Sequence, residues 1–572
     1  MPNRTHFRPR PSTIFAILGL CSLLALPAIG SQLYFRHDDS SFILFSARFH
    51  GSLLNVFRTD PSINVWGNLR GMSGYYRPTA YLQALALVRI FQGNAGVLMA
   101  LAAATMAGAV ALYYVVVRIV AGPTKAVIAL YIALFGGVTL LYQSFRLMVP
   151  LGYLEIMAAL ICLLIGAKRR STLFILLGGA FWFLASSRQS ALFLVPVVVL
   201  TALVAVPRLT QAWPSRAAAV KRFTLLLSPF IVAVAAIVIV DSLGRGSHGV
   251  SVAPAYLAQR YRFYAETLFV GPRAVVLIPS FYYGAIAARR RAQRADADDE
   301  GLSLLSLGVA IVGAVAVAGV TELGPVSLVA VSALGARRQR ALWVGMAWFL
   351  VGFCVYLVPE FYHQAYILEA FLGVGFLAAC CTPALAQDVL TAVRSLWSAG
   401  GLARGATVAA VVLVMATCIV AGLLVGPSTL SAGRGAVTGL VNTNRTFKQS
   451  VDYLSSLEGG DATVLAFSNE QRGLFKENWR DLGLEYRATA VPVMDLPELQ
   501  NMLTALVGPG MKLQPFAAPD GVSVPEGQPL YGIAFGEAES REMARSWTAT
   551  PMKRLTNGDA TATVFRLQPP PD

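Results

Sequence analysis

The sequence predicts a polytopic α-helical membrane protein of about thirteen transmembrane helices, followed by a small α/β domain outside the cytoplasm. Three observations predict it. The 572 residues are 56% hydrophobic and only 13% charged, with a mean hydropathy of +0.60. A soluble domain carries about a quarter charged residues. Apolar runs of membrane-crossing length recur through residue 426, and the composition then changes. The basic residues, which give a net charge of +16, gather between alternate apolar runs. That is an orientation signal rather than a nucleic-acid footprint.

Taken in order, the apolar runs place helices near 13–30, 95–119, 126–142, 148–166, 171–186, 190–206, 223–240, 273–288, 303–320, 322–335, 341–358, 363–382 and 405–426. The first follows a basic N-terminus, "MPNRTHFRPRPS", and no A-x-A-like cleavage site follows it, so it reads as an uncleaved span. With the N-terminus in the cytoplasm, the inner loops are "RIVAGPTK", "AKRR", "PRLTQAWPSRAAAVKRF", "ARRRAQR", "ARRQR" and "RSLWSAGGLARG". All are basic, as the positive-inside rule requires. Residues 31–94 and 430–572 then lie outside, which divides the chain into a membrane module, 1–429, and an external domain, 430–572. The external domain holds 13 basic against 16 acidic residues. Within it "TVLAF" and "LYGIAFG" read as buried strands, and "NRTFKQSVDYLSSL" and "DLPELQNMLTAL" as amphipathic helices. Asn-Gly in "KRLTNGDATATVFRL" reads as a hairpin turn. The first external loop mixes aromatics, arginines and short apolar patches, which fits one or two interfacial helices. The six cysteines all fall in apolar runs, so neither a disulfide framework nor a thiolate metal site is expected.

The residues able to do chemistry cluster at the outer ends of the spans. "RHDDSSF" sets Asp38 and Asp39 side by side just past the first span. One aspartate could cap a following helix. The pair could instead divide between a general base and a group that holds a proton, a metal or its neighbour. "GYYRPTAY" closes the same loop with Tyr76 and Arg77; an arginine fork suits phosphate, and a snorkelling arginine in an aromatic belt is the alternative. Few charges sit within spans, Glu155 and Glu369 being the main exceptions.

A carboxylate pair after the first span, followed by "YRP" before the second, resembles the membrane glycosyltransferases of the GT-C superfamily. These include the protein mannosyltransferases, the lipid A aminoarabinose transferases and the oligosaccharyltransferases. The resemblance extends to the plan of many spans, a large first external loop and a C-terminal external domain. It implies transfer of a sugar from a polyprenyl-phosphate-linked donor to an extracytoplasmic protein, glycan or lipid, with Asp38 or Asp39 acting on the acceptor. Further short matches imply phosphate or donor contacts at Arg146 in "QSFRLMVPLGYLE" and Arg188 in "SSRQSALFLVP". Others are Arg260 and Arg262 in "QRYRFYAE", read as an external loop, and Glu360 and His363 in "PEFYHQAYILEAF". His363 reads equally as an interfacial histidine. A divalent cation, Mg or Mn, is compatible with the acidic pair. The other partner is the bilayer, and the home is a bacterial inner membrane. A transporter or flippase of a lipid-linked sugar is the rival reading; it needs charged groups near the midplane.

Overall fold

In the computed structural model the described residues are 78–91, 95–136, 148–169, 171–185, 194–210, 227–236, 253–292, 304–336, 339–357, 367–398, 462–467, 511–522 and 527–569, with scattered single positions between them. The predicted spans 13–30 and 405–426 lie outside them. So do Asp38, Asp39, Tyr76, Arg77, Arg146, Arg188, Glu360 and His363.

The helices are α1 (Pro78–Ile90), α2 (Ala95–Ala121), α3 (Pro123–Tyr131, continued by a π-turn through Gly136), α4 (Met148–Arg169), α5 (Thr172–Leu184) and α6 (Val195–Thr210). They continue with α7 (Pro254–Phe269), α8 (Ile278–Ala292, entered through a 3-10 turn from Gly271), α9 (Leu304–Gly319), α10 (Leu323–Ala336), α11 (Ala341–Cys354, ending in a 3-10 turn through Leu357) and α12 (Leu368–Ser398). A short apolar helix also covers Leu227–Ala236. Each predicted span that falls on described residues is helical over most of them, with turns at Leu194 and Glu322. The sequence explains their ends. Gly122, at φ 106°, takes a left-handed conformation that a side chain resists, and Pro123 opens the next helix at its first position. Basic residues close α2 (Arg118), α4 (Lys168, Arg169) and α8 (Arg289, Arg290, Arg291), where they also complement the helix dipole.

Three of these helices are long and apolar enough to cross a membrane by themselves: Ala100–Ala121, Val149–Arg169 and Leu368–Thr391. A fourth results if the bent pair Pro254–Phe269 and Arg273–Arg291 counts as one span. The remaining apolar helices are shorter, at 10–17 residues. One large apolar core runs through the bundle, and Val309, Val312 and Val315 of α9 with Leu173 and Leu176 of α5 turn outward. An apolar outer face is what a bilayer solvates.

Packing relies on small residues. A Cβ added to Gly352 of α11 would stand 2.5 Å from the Ala370 nitrogen of α12, and one on Gly373 of α12 would strike the Phe349 backbone. The two helices therefore meet backbone to backbone, a mode favoured where no hydrophobic effect separates helix from lipid. Tyr113 of α2 donates to the Leu372 carbonyl across 2.8 Å and packs edge-on to Trp348 at 5.6 Å, tying α2 to both. Helices α4 and α5 form an antiparallel hairpin, with Gly166 against Ile175 and Gly178 against the Ala159 carbonyl.

Beyond the bundle, β1 (Ala462–Ala466), β2 (Met511–Pro515), β3 (Leu530–Phe535), β4 (Thr548–Asn557) and β5 (Ala560–Gln568) form one sheet in the order β2-β1-β3-β5-β4. β1 lies parallel to β2 and β3, and β5 is antiparallel to β3 and β4. "TVLAF" and "LYGIAFG" are the central, buried strands. The hairpin turn is Gly558–Asp559, one residue later than Asn-Gly itself, with Gly558 at φ 57°. Helix α13 (Gly536–Ser546) lies on the sheet, burying Met543 against Gly532.

Candidate active site

Two groups of buried ionisable side chains stand out in the bundle. If the basic helix ends mark a common plane, each residue's height follows from 1.5 Å per helical residue. Glu155 stands fourteen residues before Arg169, at about 21 Å, and Tyr356 sixteen residues after Arg340, at about 24 Å. Both thus stand at least two-thirds of a hydrocarbon thickness, roughly 30 Å, away from those basic ends.

The first group surrounds the end of α11. Arg260 of α7 is 1% exposed, donates from Nη1 to the Leu357 carbonyl at 2.9 Å, and lies over the Tyr256 ring at 5.4 Å. Tyr356 donates its hydroxyl to Glu369 Oε1 at 3.2 Å, and Glu369 is also 1% exposed. A buried cation and a buried acid thus converge on the turn 355–357, reached from α7 and from the first turn of α12. Burying a charge is costly unless it is paired. That cost marks the place where the bundle keeps polar groups in its apolar interior. Glu360 and His363 follow this turn in sequence, outside the described residues.

The second group joins α1 to the α4–α5 hairpin. Gln83 donates from Nε2 to Glu155 Oε1 at 2.5 Å and reaches the Leu184 carbonyl at 3.4 Å. Glu155 is 5% exposed. Helix α1 begins at Pro78, directly after Arg77, and Leu184 ends α5 four residues ahead of Arg188. Arg146 stands two residues ahead of α4 in sequence.

Arg260 and Arg262 part company. They occupy a helix, Pro254–Phe269, rather than the expected loop. Positions i and i+2 on a helix point about 200° apart. Arg260 turns into the bundle. Arg262 turns out and pairs with Glu266 and Glu322, each at 3.1 Å, with 62% of its side chain exposed. The two guanidiniums therefore do not share a site. Sequence reasoning passed over Gln83, an amide on an apolar face, and Tyr356. Neither residue type separates a buried partner from a surface group without its neighbour. Among the described residues no group of three or more His, Cys, Asp or Glu is placed to hold a metal ion.

No family model matches the chain, and no curated protein matches it. Two solved structures are similar along nearly its whole length. ArnT from Cupriavidus metallidurans bound to undecaprenyl phosphate is 13% identical, with a TM-score of 0.43, over 97% of this chain and 98% of that one. The same organism's ArnT in the apo state is 10% identical, with a TM-score of 0.43, over 97% of each chain. At this identity and score the likeness transfers no residue role, and the functional reading rests on this chain's own residues.

Proposed function

We propose that the chain is an integral-membrane glycosyltransferase of the GT-C type, which moves a sugar from a polyprenyl-phosphate-linked donor to an acceptor outside the cytoplasm. The observation that carries it is the placement of Arg260, Glu369 and Glu155. They are buried within an apolar bundle and adjoin in sequence the segments that hold the other candidate residues. A buried guanidinium opposite apolar helices suits a phosphate whose tail lies in lipid.

In this reading an aspartate of the first loop, Asp38 or Asp39, takes the proton of the acceptor nucleophile. The nucleophile attacks the anomeric carbon, the bond from that carbon to the phosphate oxygen breaks, and the lipid phosphate leaves with the electron pair. Arg260, with Arg77, Arg146 and Arg188, faces the negative charge that develops on the leaving phosphate. Glu360 and His363 complete the donor side. The first loop and residues 430–572 lie outside a bacterial inner membrane, with the N-terminus in the cytoplasm.

The buried acids also bear on the rival, a transporter or flippase. Transport sites gather at the bilayer midplane between repeats. If the basic helix ends mark the inner face, Glu155 and the Tyr356–Glu369 contact stand beyond the midplane, toward the depth of the phosphate of a membrane-anchored donor. Incubating the purified protein with a synthetic polyprenyl-phosphate sugar and candidate acceptors separates the two. Release of free lipid phosphate with glycosylated product supports transfer. Movement of intact donor across a vesicle membrane without product supports transport.

A further inference from the structure

The buried contact between Gln83 and Glu155 leaves a paired remainder. Gln83 Nε2 donates to Glu155 Oε1 at 2.5 Å. The other oxygen of each side chain, Gln83 Oε1 and Glu155 Oε2, is buried and meets no donor. With Glu155 ionised, one amide N–H would face a carboxylate in an apolar helix pair, and two acceptors would stay empty. An empty buried acceptor costs about 1–3 kcal/mol, and a charged one more.

The described surroundings offer no counter-charge. On α2, Gly108 lies against Leu154, and Arg118 is ten residues, about 15 Å, farther along toward the basic end. Lys168 and Arg169 close α4 at that same end. Helix α5, "TLFILLGGAFWFL", has no ionisable residue. Arg208 stands by the C-terminus of α6, and Arg89 is exposed in the last turn of α1. By the antiparallel register of α4 and α5, Trp182 lies level with Glu155, and its indole N–H is buried without an acceptor.

We infer that Glu155 carries a proton on Oε2 and donates it to Gln83 Oε1, which closes a two-bond acid–amide ring that seats α1 on the α4–α5 hairpin. One proton fills both empty acceptors. A carboxylic acid offers one donor and one acceptor, and a primary amide offers the complementary pair. The ring is polar but neutral, which is the form an apolar layer tolerates. Gln83 and Glu155 are then positioning residues. They fix the helix whose first residue follows Arg77, and so set where the first external loop ends. Their service to glycosyl transfer rests on the proposed function; the protonated ring does not.

Infrared spectroscopy of the full-length protein in lipid, without substrate, tests the ring. The wild type minus Glu155→Gln difference spectrum is expected to show the carbonyl band of a protonated carboxylic acid. In Gln83→Leu that band is expected to move to higher frequency, as the acid loses its acceptor. Glu155→Gln forms an amide–amide ring with the same two bonds, so its melting temperature should stay near the wild type, while Gln83→Leu should fall by several degrees. A carboxylate band in the difference spectrum would overturn the inference. So would an acid band that Gln83→Leu leaves unmoved, a result that can be read even if Glu155→Gln fails to fold. Because no turnover is measured, either failure is distinct from failure of the glycosyltransferase reading.

Discussion

Two arginines that the sequence presents as equals are separated by their surroundings. Arg260 is enclosed beside the Leu357 carbonyl and the Tyr256 ring, whereas Arg262 is solvated and held by Glu266 and Glu322. If Arg260 contacts the donor phosphate, Arg260→Ala should raise the donor KM on the order of 10–100-fold, because a charged hydrogen bond contributes about 1.5–3 kcal/mol. Arg260→Lys should recover part of it. Arg262→Ala should change the donor KM by no more than about fivefold, since an exposed ion pair contributes roughly 0.2–1 kcal/mol. Steady-state kinetics on the two variants checks both, and equal losses would remove the distinction. This difference was not legible in "QRYRFYAE". The residue types predict affinity for phosphate, but only the helical phase of Pro254–Phe269 says which side chain faces inward. Glu155 and Glu369 were legible as anomalies, being charges within apolar runs. Their partners Gln83 and Tyr356 were not, because a hydrogen bond 72 residues apart in sequence leaves no local pattern.

Helix positions were legible because apolar length is a strong one-dimensional signal. Helix lengths and contacts were less so. The run read as 363–382 is the helix Leu368–Ser398, which continues past Pro383 and past the apolar window. Hydropathy falls there, but the backbone hydrogen bonds do not. The glycines of α11 and α12 read only as small residues in apolar runs, and the structure makes them contact points. Gly373→Leu should cost at least about 1–3 kcal/mol through overpacking against the Phe349 backbone, visible as a lowered melting temperature in detergent. Gly308→Leu is the control. Nothing stands within 4 Å of a Cβ at that position of α9, and the substitution should leave the melting temperature near the wild-type value. In the sheet, Asn-Gly announced the hairpin, while the one-residue shift to Gly558–Asp559 follows from the register Asn557↔Ala560. Gly558→Val should loosen this hairpin, since it forces a β-branched residue to φ 57° and drives a Cβ into Asn442. Hydrogen exchange across 548–568 reads that effect, and unchanged protection would count against the strain.

For the whole molecule, the positive-inside pattern predicts that Ser40 and Ser455 stand outside and that the segment 289–302, which begins in the last turn of α8, stands inside. Single cysteines at Ser40 and Ser455 should react with an impermeant reagent in intact cells. Labelling of either only after the inner face is opened would reverse the topology. Hydropathy predicts thirteen spans, and among the described residues three helices meet the crossing length outright. A bundle of helices packed around a shared core keeps Arg260, Glu369 and Glu155 buried with their partners. That burial is a property of the assembled bundle and has no signature in any one segment. The first-loop aspartates bear the chemical claim. Adjacent residues on a helical turn point about 100° apart, and on a strand to opposite faces, so the two cannot serve one atom alike. The most direct measurement is turnover of a synthetic polyprenyl-phosphate sugar by folded wild type, Asp38→Asn and Asp39→Asn. One variant is expected to lose about 10²–10⁴-fold in kcat and the other distinctly less, with both melting near the wild type. Near-normal turnover by both folded variants would contradict it.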